Sequence, residues 1–288
     1  MASRDRRIVL LGKTGAGKSS TGNTIFGGEK VFETSSSPHA LTDKYTPESR
    51  IIEGINVTLI DTPGFFDTRI SDVELRKEII NCMTECAGGV DAFLIVLKVE
   101  RVTFHEKEIC TKIRKSFSDE VFKYATVLFT HGDDLEGKTI QDFVKENYEL
   151  SELVQKCGGR CHVIDNKCWN WGRKNRNRSN QVQVSELLKT IDQMVEQNGG
   201  GCYTNEMLRA VQEKIQAEES RIRQKSGGKL SNEEIHSLAK EKVKTKLSVK
   251  LAGIGTGVLL GGLEDSGPLK QLDQRAPGSI TNSLEVQD

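Results

Sequence analysis

The chain has 288 residues, with 41 basic and 41 acidic side chains, 36% apolar residues and 28% charged residues. This composition is typical of a globular protein, and it excludes both a fully disordered chain and a largely membrane-embedded one. The formal net charge of zero excludes a general electrostatic attraction to nucleic acid or anionic lipid. We therefore predict no nucleic-acid partner.

The N-terminal sequence carries no sign of a secretory signal, because charged residues lead directly into the apolar run 8–11. We therefore expect a cytoplasmic protein. The seven cysteines are an odd and scattered set, which favours reduced thiols over a disulfide framework. A zinc site near Cys157, Cys161, His162 and Cys168 stays an alternative, although these residues lack paired Cys-x-x-Cys spacing.

Short apolar runs rich in β-branched residues alternate with amphipathic segments over the first 200 residues. The spacing predicts strands over 8–11, 57–61, 92–97, 126–130 and 162–164. It predicts helices over 18–26, 73–86, 106–117, 140–149 and 182–197. This alternation predicts an α/β fold, with a mostly parallel sheet between two layers of helices.

Three regions follow from this pattern. The glycine-rich stretch 198–201 breaks the last helix and predicts a hinge or a domain boundary. We expect a sheet domain over 5–200, a helical extension over 203–249, and a glycine-rich apolar segment with a disordered tail over 250–288.

The extension itself predicts two polar helices, over 203–224 and 232–248, each with a narrow apolar seam. Such seams bury little area alone, so the helices should pack on the sheet domain or on a partner. The apolar segment 249–263 is shorter than the ~20 residues that span a bilayer. A peripheral contact with an intracellular membrane stays open.

A phosphate-binding loop is the strongest motif. The sequence GKTGAGKSS follows the first predicted strand and opens the first predicted helix. Its glycines let backbone N–H groups point at phosphate oxygens, and the helix N-terminus adds its positive dipole end. Lys18 would reach the β- and γ-phosphates, and Ser19 would bind magnesium. The predicted nucleotide-binding residues are Gly12, Lys13, Thr14, Gly15, Ala16, Gly17, Lys18, Ser19 and Ser20.

A second nucleotide motif, Asp-Thr-Pro-Gly, ends another predicted strand at residues 61–64. Asp61 would hold the water shell of the magnesium ion, and the Gly64 amide could sense the γ-phosphate. The next residue, Phe65, stands where Ras-like GTPases carry the glutamine that orients the attacking water. A phenyl ring cannot do this, so we expect slow hydrolysis unless another group or subunit completes the site.

The sequence THGDDL at 130–135 predicts which nucleotide base is bound. It stands where many GTPases have Asn-Lys-x-Asp. Asp134 would accept hydrogen bonds from the guanine N1–H and exocyclic amine, which adenine cannot offer in that pattern. His131 takes the place of the asparagine. The segment Asp165–Lys167 follows the next strand, in the right place for a second base-contacting loop.

Taken together, these motifs and the segment DAFLIVLKVERVT at 91–103 resemble the GTPase of immunity-associated proteins (GIMAP) family. That family is related to septins and to chloroplast outer-envelope import GTPases. The resemblance implies a P-loop GTPase domain with helical extensions, with GTP or GDP and Mg²⁺ as ligands. It also implies homodimers or homo-oligomers that form through the nucleotide face, often as scaffolds on intracellular membranes.

The resemblance also assigns individual residues. Thr42 matches the switch threonine that closes over magnesium in the triphosphate state, and Arg101 matches an arginine that reaches the partner's nucleotide. Both are therefore expected to take part in catalysis, together with Lys18. Asn166 matches a base-contacting asparagine.

The chain departs from the family pattern at two places. Glu100 replaces the glycine that usually precedes the signature arginine, so a surface role for that arginine is the alternative. His131-Gly132 replaces the usual Arg-Lys. Trp169 or Trp171 could stack near the base, or could serve only in packing.

Two functions are consistent with these motifs. The first is a GTPase that acts as a GTP-dependent dimerising switch or scaffold, with slow hydrolysis completed across the dimer. The alternative is a non-catalytic scaffold in which GTP only stabilises the assembly. An ATP-using P-loop enzyme is a third class, but the sequence shows no site for a second substrate.

Overall fold

The structure, a computed structural model, describes residues 4–34, 47–62, 72–100, 111, 113, 117–169 and 178–250. Several predicted features lie outside these residues. They are the tail, most of the helix expected over 106–117, and the residues Thr42, Gly64, Phe65, Arg101 and Trp171.

A six-stranded sheet forms the centre of the molecule, in the order β2-β3-β1-β4-β5-β6. Every neighbouring pair is parallel except β2 and β3, which are antiparallel. The strands are β1 (Arg4–Leu11), β2 (Glu48–Ile52), β3 (Ile55–Asp61), β4 (Ala92–Lys98), β5 (Ala125–Thr130) and β6 (Cys161–Val163). The predicted mostly parallel α/β fold is confirmed.

The described helices connect these strands and then continue beyond the sheet. They are α1 (Lys18–Ile25), α2 (Asp72–Cys86), α3 (Ile140–Lys145), α4 (Tyr148–Lys156), α5 (Asn180–Gln197), α6 (Glu206–Ser226) and α7 (Asn232–Lys250). A short 3₁₀ turn, Gly132–Leu135, follows β5 directly.

The alternation of side chains along β1 divides the core into two apolar layers. Ile8 and Leu10 point into a cluster with α1 and α5. Val9 and Leu11 point to the opposite face, into a cluster with α2, α3, α4, α6 and α7. Because successive side chains of a strand point to opposite faces, one apolar run fills both layers.

Two features of the fold differ from the predicted elements. The edge strand β2 was not predicted, because most of its side chains are exposed and its sequence shows no alternation of apolar and polar residues. Even the apolar side chain of Ile51 is 79% exposed. The single helix predicted over 140–149 is wrong. The backbone of Asn147 is extended, and its side-chain oxygen accepts a hydrogen bond from the Leu150 N–H, so a new helix starts there.

The extension returns to the sheet at Tyr203, whose backbone pairs with Val90. The Tyr203 ring is 1% exposed and makes edge contacts with Phe93, Phe117 and Tyr124. The two helices that follow then pack on each other and on α2. The sequence left open whether the extension packs on the sheet domain or on a partner protein. The structure shows that it packs on the sheet domain.

None of the helices that the structure describes is both long enough and apolar enough to cross a bilayer.

Candidate functional site

Most of the described site residues lie at one edge of the sheet, because the carboxyl ends of parallel strands share an edge. The phosphate loop follows β1, Asp61 ends β3, Glu100 follows β4 and His131 follows β5. Asp165 lies just beyond β6 on the same side. Ligands of open α/β sheets bind at this edge.

Two glycines of the phosphate loop are required by the geometry. A Cβ atom on Gly12 would lie 2.6 Å from the carbonyl oxygen of Val96, so the loop passes too close to β4 for a side chain. Gly17 has a φ of 91°, in the left-handed region, where it turns the chain into α1. The loop is therefore wrapped tightly around the space in front of the helix.

The loop concentrates positive charge at the start of α1. Lys18 is 7% exposed, and its Nζ atom donates hydrogen bonds to the carbonyl oxygens of Gly12 and Lys13, both at 3.1 Å. Gly17 offers no capping side chain, and the first turn of α1 contains no acidic residue. The positive end of the helix dipole and a buried ammonium thus face one small space, which suits a phosphate group.

Asp61 and Ser19 form a polar pair next to this space. The Ser19 hydroxyl donates to Asp61 Oδ2 at 2.5 Å, and Asp61 is 1% exposed. Burial raises the pKa of the Asp61 carboxyl, against the opposing effects of the Lys18 charge and the Ser19 hydrogen bond.

The second oxygen of Asp61, Oδ1, is buried and has no hydrogen-bond partner among the described residues. A buried carboxylate oxygen without a partner costs free energy unless a ligand uses it. Magnesium prefers oxygen ligands and keeps several of its waters, so Ser19 and Asp61 fit a hydrated magnesium ion. The third predicted ligand, Thr42, lies outside the described residues.

The two predicted base loops, 130–135 and 165–167, are joined to the phosphate loop and α1 by side chains. The Thr130 hydroxyl donates to the Ala16 carbonyl oxygen at 3.0 Å. The Thr24 hydroxyl of α1 donates to Asn166 Oδ1 at 2.8 Å. His131 follows Thr130 with a left-handed backbone, at a φ of 60°. Asn166 Nδ2 would also lie 3.2 Å from a Cβ atom on Gly17. The structure therefore places Asn166 and the residue before His131 beside the phosphate loop, while their contact with the base stays a prediction.

Asp165 connects the two base loops, a role that was not predicted. Its Oδ2 accepts the Asp133 N–H at 3.0 Å, and its Oδ1 accepts the N–H groups of Lys167 and Cys168 at 2.8 and 2.7 Å. Burial acts to raise the pKa of Asp165, but these backbone N–H groups hold it below its usual value. The local turn, in which the Asp165 side chain accepts from N–H groups two and three residues later, is a common aspartate pattern that the sequence indicates. The contact with Asp133, 32 positions away, is not indicated by the sequence.

The predicted base acceptor Asp134 is exposed, and within the described ranges its carboxylate has no hydrogen bond or ion pair. The neighbouring Asp133 instead contacts Trp169 and Arg178, both at 3.3 Å. Both acids are exposed, but within the described residues only Asp133 has side-chain partners, through its Oδ1 atom.

Glu100 has a partner that the sequence did not indicate. Its Oε1 atom lies 2.8 Å from the Nζ atom of Lys13, so the end of β4 is tied to the phosphate loop. Both side chains are partly exposed, at 41% and 30%. The ion pair therefore lies on the protein surface, at the sheet edge that carries the phosphate loop, where it adds little to stability.

The chain matches the AIG1 family over residues 6–244. It belongs to this family, and the predicted resemblance is confirmed. Among curated relatives, immune-associated nucleotide-binding protein 8 of Arabidopsis thaliana is 34% identical over 240 residues, covering 81% of this chain and 66% of the relative. Immune-associated nucleotide-binding protein 1 of the same plant is 35% identical over 210 residues, covering 71% and 90%.

Solved structures support the fold. Toc33 from Arabidopsis thaliana in complex with GDP and Mg²⁺ matches with a TM-score of 0.52 and 20% identity, over 67% of this chain and 85% of Toc33. Its complex with Mg²⁺ and GMPPNP matches with the same score, over 68% and 86%. The fold of this chain is that of a P-loop GTPase.

Proposed function

We propose that the protein binds GTP and GDP together with Mg²⁺ and hydrolyses GTP slowly. The observation that carries this proposal is the contact of the half-buried Ser19 with the buried Asp61, beside the buried Lys18 at the start of α1; Oδ1 of Asp61 has no partner among the described residues. The loop from Gly12 to Ser20 would bind the phosphates, and Thr42, Ser19 and Asp61 would surround the ion. When bound, the ion would neutralise charge that develops on the phosphates.

The base is guanine in this proposal, and Asp134 is the residue that selects it. His131, Asn166 and Gly64 complete the assigned contacts, with the last on the γ-phosphate. Solved relatives with the same fold are complexes with GDP or GMPPNP. The open carboxylate of Asp134, on a loop that Asp165 holds against the second base loop, supports the same choice.

Nucleotide affinity tests the base assignment. Labelled GDP should bind at least about a hundredfold more tightly than labelled ADP, because buried polar groups discriminate strongly against a base that cannot pair with them. Asp134→Asn should remove most of this difference. Glu136→Gln removes the same charge from an exposed position on the same loop and should retain it. Equal affinities of the wild-type protein for GDP and ADP would refute the assignment.

The proposal includes assembly of two copies through their nucleotide faces, with Arg101 reaching the partner's nucleotide. Phe65 cannot orient water, so a charge from the second copy would supply what one copy lacks. Among proteins of the same fold, dimerisation is important for the GTPase activity of the chloroplast translocon components atToc33 and psToc159. Specific GTPase activity should therefore rise with protein concentration, and Arg101→Ala should abolish the rise.

The second candidate is a scaffold that binds GTP without hydrolysing it. The Lys13–Glu100 ion pair favours it, because a carboxylate on the nucleotide edge adds negative charge directly before the proposed catalytic arginine. Light scattering with GDP and with GMPPNP, together with the activity assay, separates the two candidates. A larger particle with GMPPNP and no hydrolysis at any concentration would identify the scaffold.

We further propose a cytoplasmic protein that can associate with an intracellular membrane surface. In this proposal the domain over 5–200 binds the nucleotide, the extension over 203–249 packs on that domain, and the apolar segment 249–263, at the start of the region over 250–288, provides the contact with the membrane. Co-sedimentation with neutral and anionic vesicles tests this directly. Failure of the full chain to sediment with either vesicle would remove the membrane from the proposal.

A further inference from the structure

Gly132 and Trp169 fit each other closely. A Cβ atom on Gly132 would lie 2.6, 2.8 and 3.0 Å from three carbons of the six-membered indole ring, Cη2, Cζ2 and Cζ3. The backbone of Gly132 does not need glycine, since its φ lies outside the left-handed region. The ring, which is 2% exposed, is therefore what restricts this position to glycine.

The polar edge of the same ring acts on the next residue. The Trp169 Nε1–H donates to Asp133 Oδ1 at 3.3 Å, and Arg178 reaches the same oxygen at the same distance. The Asp133 N–H is held in turn by Asp165. Both the side chain and the backbone of Asp133 are thus fixed from the side of the second base loop.

This arrangement distinguishes two adjacent acids of identical chemistry. Both side chains reach solvent, but Oδ1 of Asp133, whose side chain is 44% exposed, contacts Trp169 and Arg178, while the carboxylate of Asp134 makes no hydrogen bond or ion pair in the described part of the chain. A base that needs one carboxylate in one place requires the loop to present a single acid. Because Asp134 is the next residue along the chain, holding Gly132 and Asp133 in place also limits where the Asp134 carboxylate can lie.

We propose that Trp169 is a positioning residue for guanine recognition, which packs on Gly132 and binds Asp133 so that Asp134 faces the base. The inference rests on the proposed binding of guanine nucleotides. It adds a specificity-determining residue outside the motifs that bind the nucleotide. The indole ring also occupies the space in which a longer side chain at position 132 would lie.

A role in core packing alone makes a different prediction. Trp169 belongs to the larger apolar cluster, so a packing role would lower the stability of any variant and weaken all nucleotides together. A positioning role lowers the affinity for GDP while ADP, held only through its phosphates, keeps its affinity. The ratio of the two dissociation constants therefore separates the roles.

The experiment measures GDP and ADP affinities for four variants, each checked for native circular dichroism. Trp169→Phe removes the N–H donor and shortens the ring; it should weaken GDP about tenfold, as expected for a lost positioning hydrogen bond, and leave ADP unchanged. Gly132→Ala should weaken GDP more strongly, because its Cβ meets the indole. Gly201→Ala is the control, since the nearest atom to its Cβ is 3.8 Å away and its φ is ordinary.

The double variant Gly132→Ala, Trp169→Phe completes the cycle. Because the shorter ring leaves room for the Cβ, the double variant should bind GDP as well as Trp169→Phe alone, which is a non-additive result. An unchanged ratio of ADP to GDP dissociation constants in Trp169→Phe would overturn the inference. An equal loss of GDP affinity from Gly132→Ala in the wild-type protein and in Trp169→Phe would also overturn it. A wild-type protein without preference for GDP would instead overturn the proposed function, and this inference with it.

Discussion

Asp61 shows the conflict between stability and ligand binding at the scale of a single residue. Its carboxylate is buried, its pKa is raised by that burial, and one of its oxygens has no partner among the described residues. Such a group lowers the stability of the free protein, because a charge is held away from water without full compensation. A bound cation would turn this cost into affinity.

Asp61→Asn should therefore have opposite effects on stability and on binding. Without nucleotide and magnesium, we expect the free energy of unfolding to rise by about 1 kcal/mol, because the buried charge is removed. The magnesium-dependent gain in GDP affinity should fall by about tenfold or more. Denaturant unfolding in EDTA and GDP titrations with and without magnesium measure the two effects. A loss of stability in EDTA would contradict this account.

The Asp165 carboxylate allows a sharper test, because its two oxygens have different partners. Asn in its place keeps an oxygen for Lys167 and Cys168 but turns an N–H₂ group towards the Asp133 N–H. Two donors then face each other, which should cost about 1–3 kcal/mol. We expect Asp165→Asn to lower both thermal stability and GDP affinity. Glu213→Gln, which removes the same charge from an exposed side chain of α6, is the control and should change neither by more than about 0.5 kcal/mol.

At the scale of the elements, the sequence predicted those whose apolar pattern is strong. The five predicted strands all occur in the structure, because four of them contain buried apolar runs and β6 ends on the buried Val163. β1 begins earlier than predicted, at Arg4, because its first residues are charged. The edge strand β2 carries no such pattern, because solvent covers most of it and Ile51 is exposed. The break at Asn147 was missed because the apolar periodicity of α3 continues across it, although asparagine is a common N-cap.

The residues of the candidate site also divide into those that the sequence could predict and those that it could not. The phosphate loop and Asp61 could be predicted because glycine, lysine and aspartate at fixed spacing have one well-known use. The roles of Asp165, of Trp169 beside Gly132 and of Glu100 on Lys13 could not, because each depends on contacts between residues that are 32 or more positions apart, or on a loop conformation. Only the folded sheet edge brings these residues together.

Tyr203 is one of the residues that link the extension to the sheet. The hydroxyl of Tyr203 donates to the carbonyl oxygen of Phe117 inside the core. Tyr203→Phe keeps the ring contacts but removes this donor from the buried oxygen, which should cost about 1–2 kcal/mol. Tyr148→Phe makes the same chemical change on a residue that is 78% exposed and should cost less than about 0.5 kcal/mol. Urea denaturation compares the two, and equal costs would refute this role for the hydroxyl.

At the scale of the whole molecule, the extension is part of a continuous core. Residues of α6 and α7, such as Val211 and Leu247, belong to the same apolar cluster as Phe93 and Phe129 of the sheet. Lys240 of α7 also pairs with Glu85 of α2 at 2.8 Å, with both side chains largely buried. Because α2 lies in the same cluster, the two helices pack directly on the sheet domain.

We therefore expect the extension and the sheet domain to unfold in one cooperative transition. Leu247→Ala should lower the free energy of unfolding by about 2–5 kcal/mol, since Leu247 is 2% exposed and leaves a cavity in the shared core. Leu238→Ala, on the same helix but 44% exposed, should cost less than about 1 kcal/mol. In urea, tryptophan fluorescence reports on the segment after β6 through Trp169 and Trp171, while circular dichroism at 222 nm includes both helices of the extension. The two probes should give the same midpoint in the wild-type protein and should shift together in Leu247→Ala. If the helical signal of that variant is lost first while the fluorescence midpoint stays at its wild-type value, the extension is an independent unit and the hinge at 198–201 separates two domains.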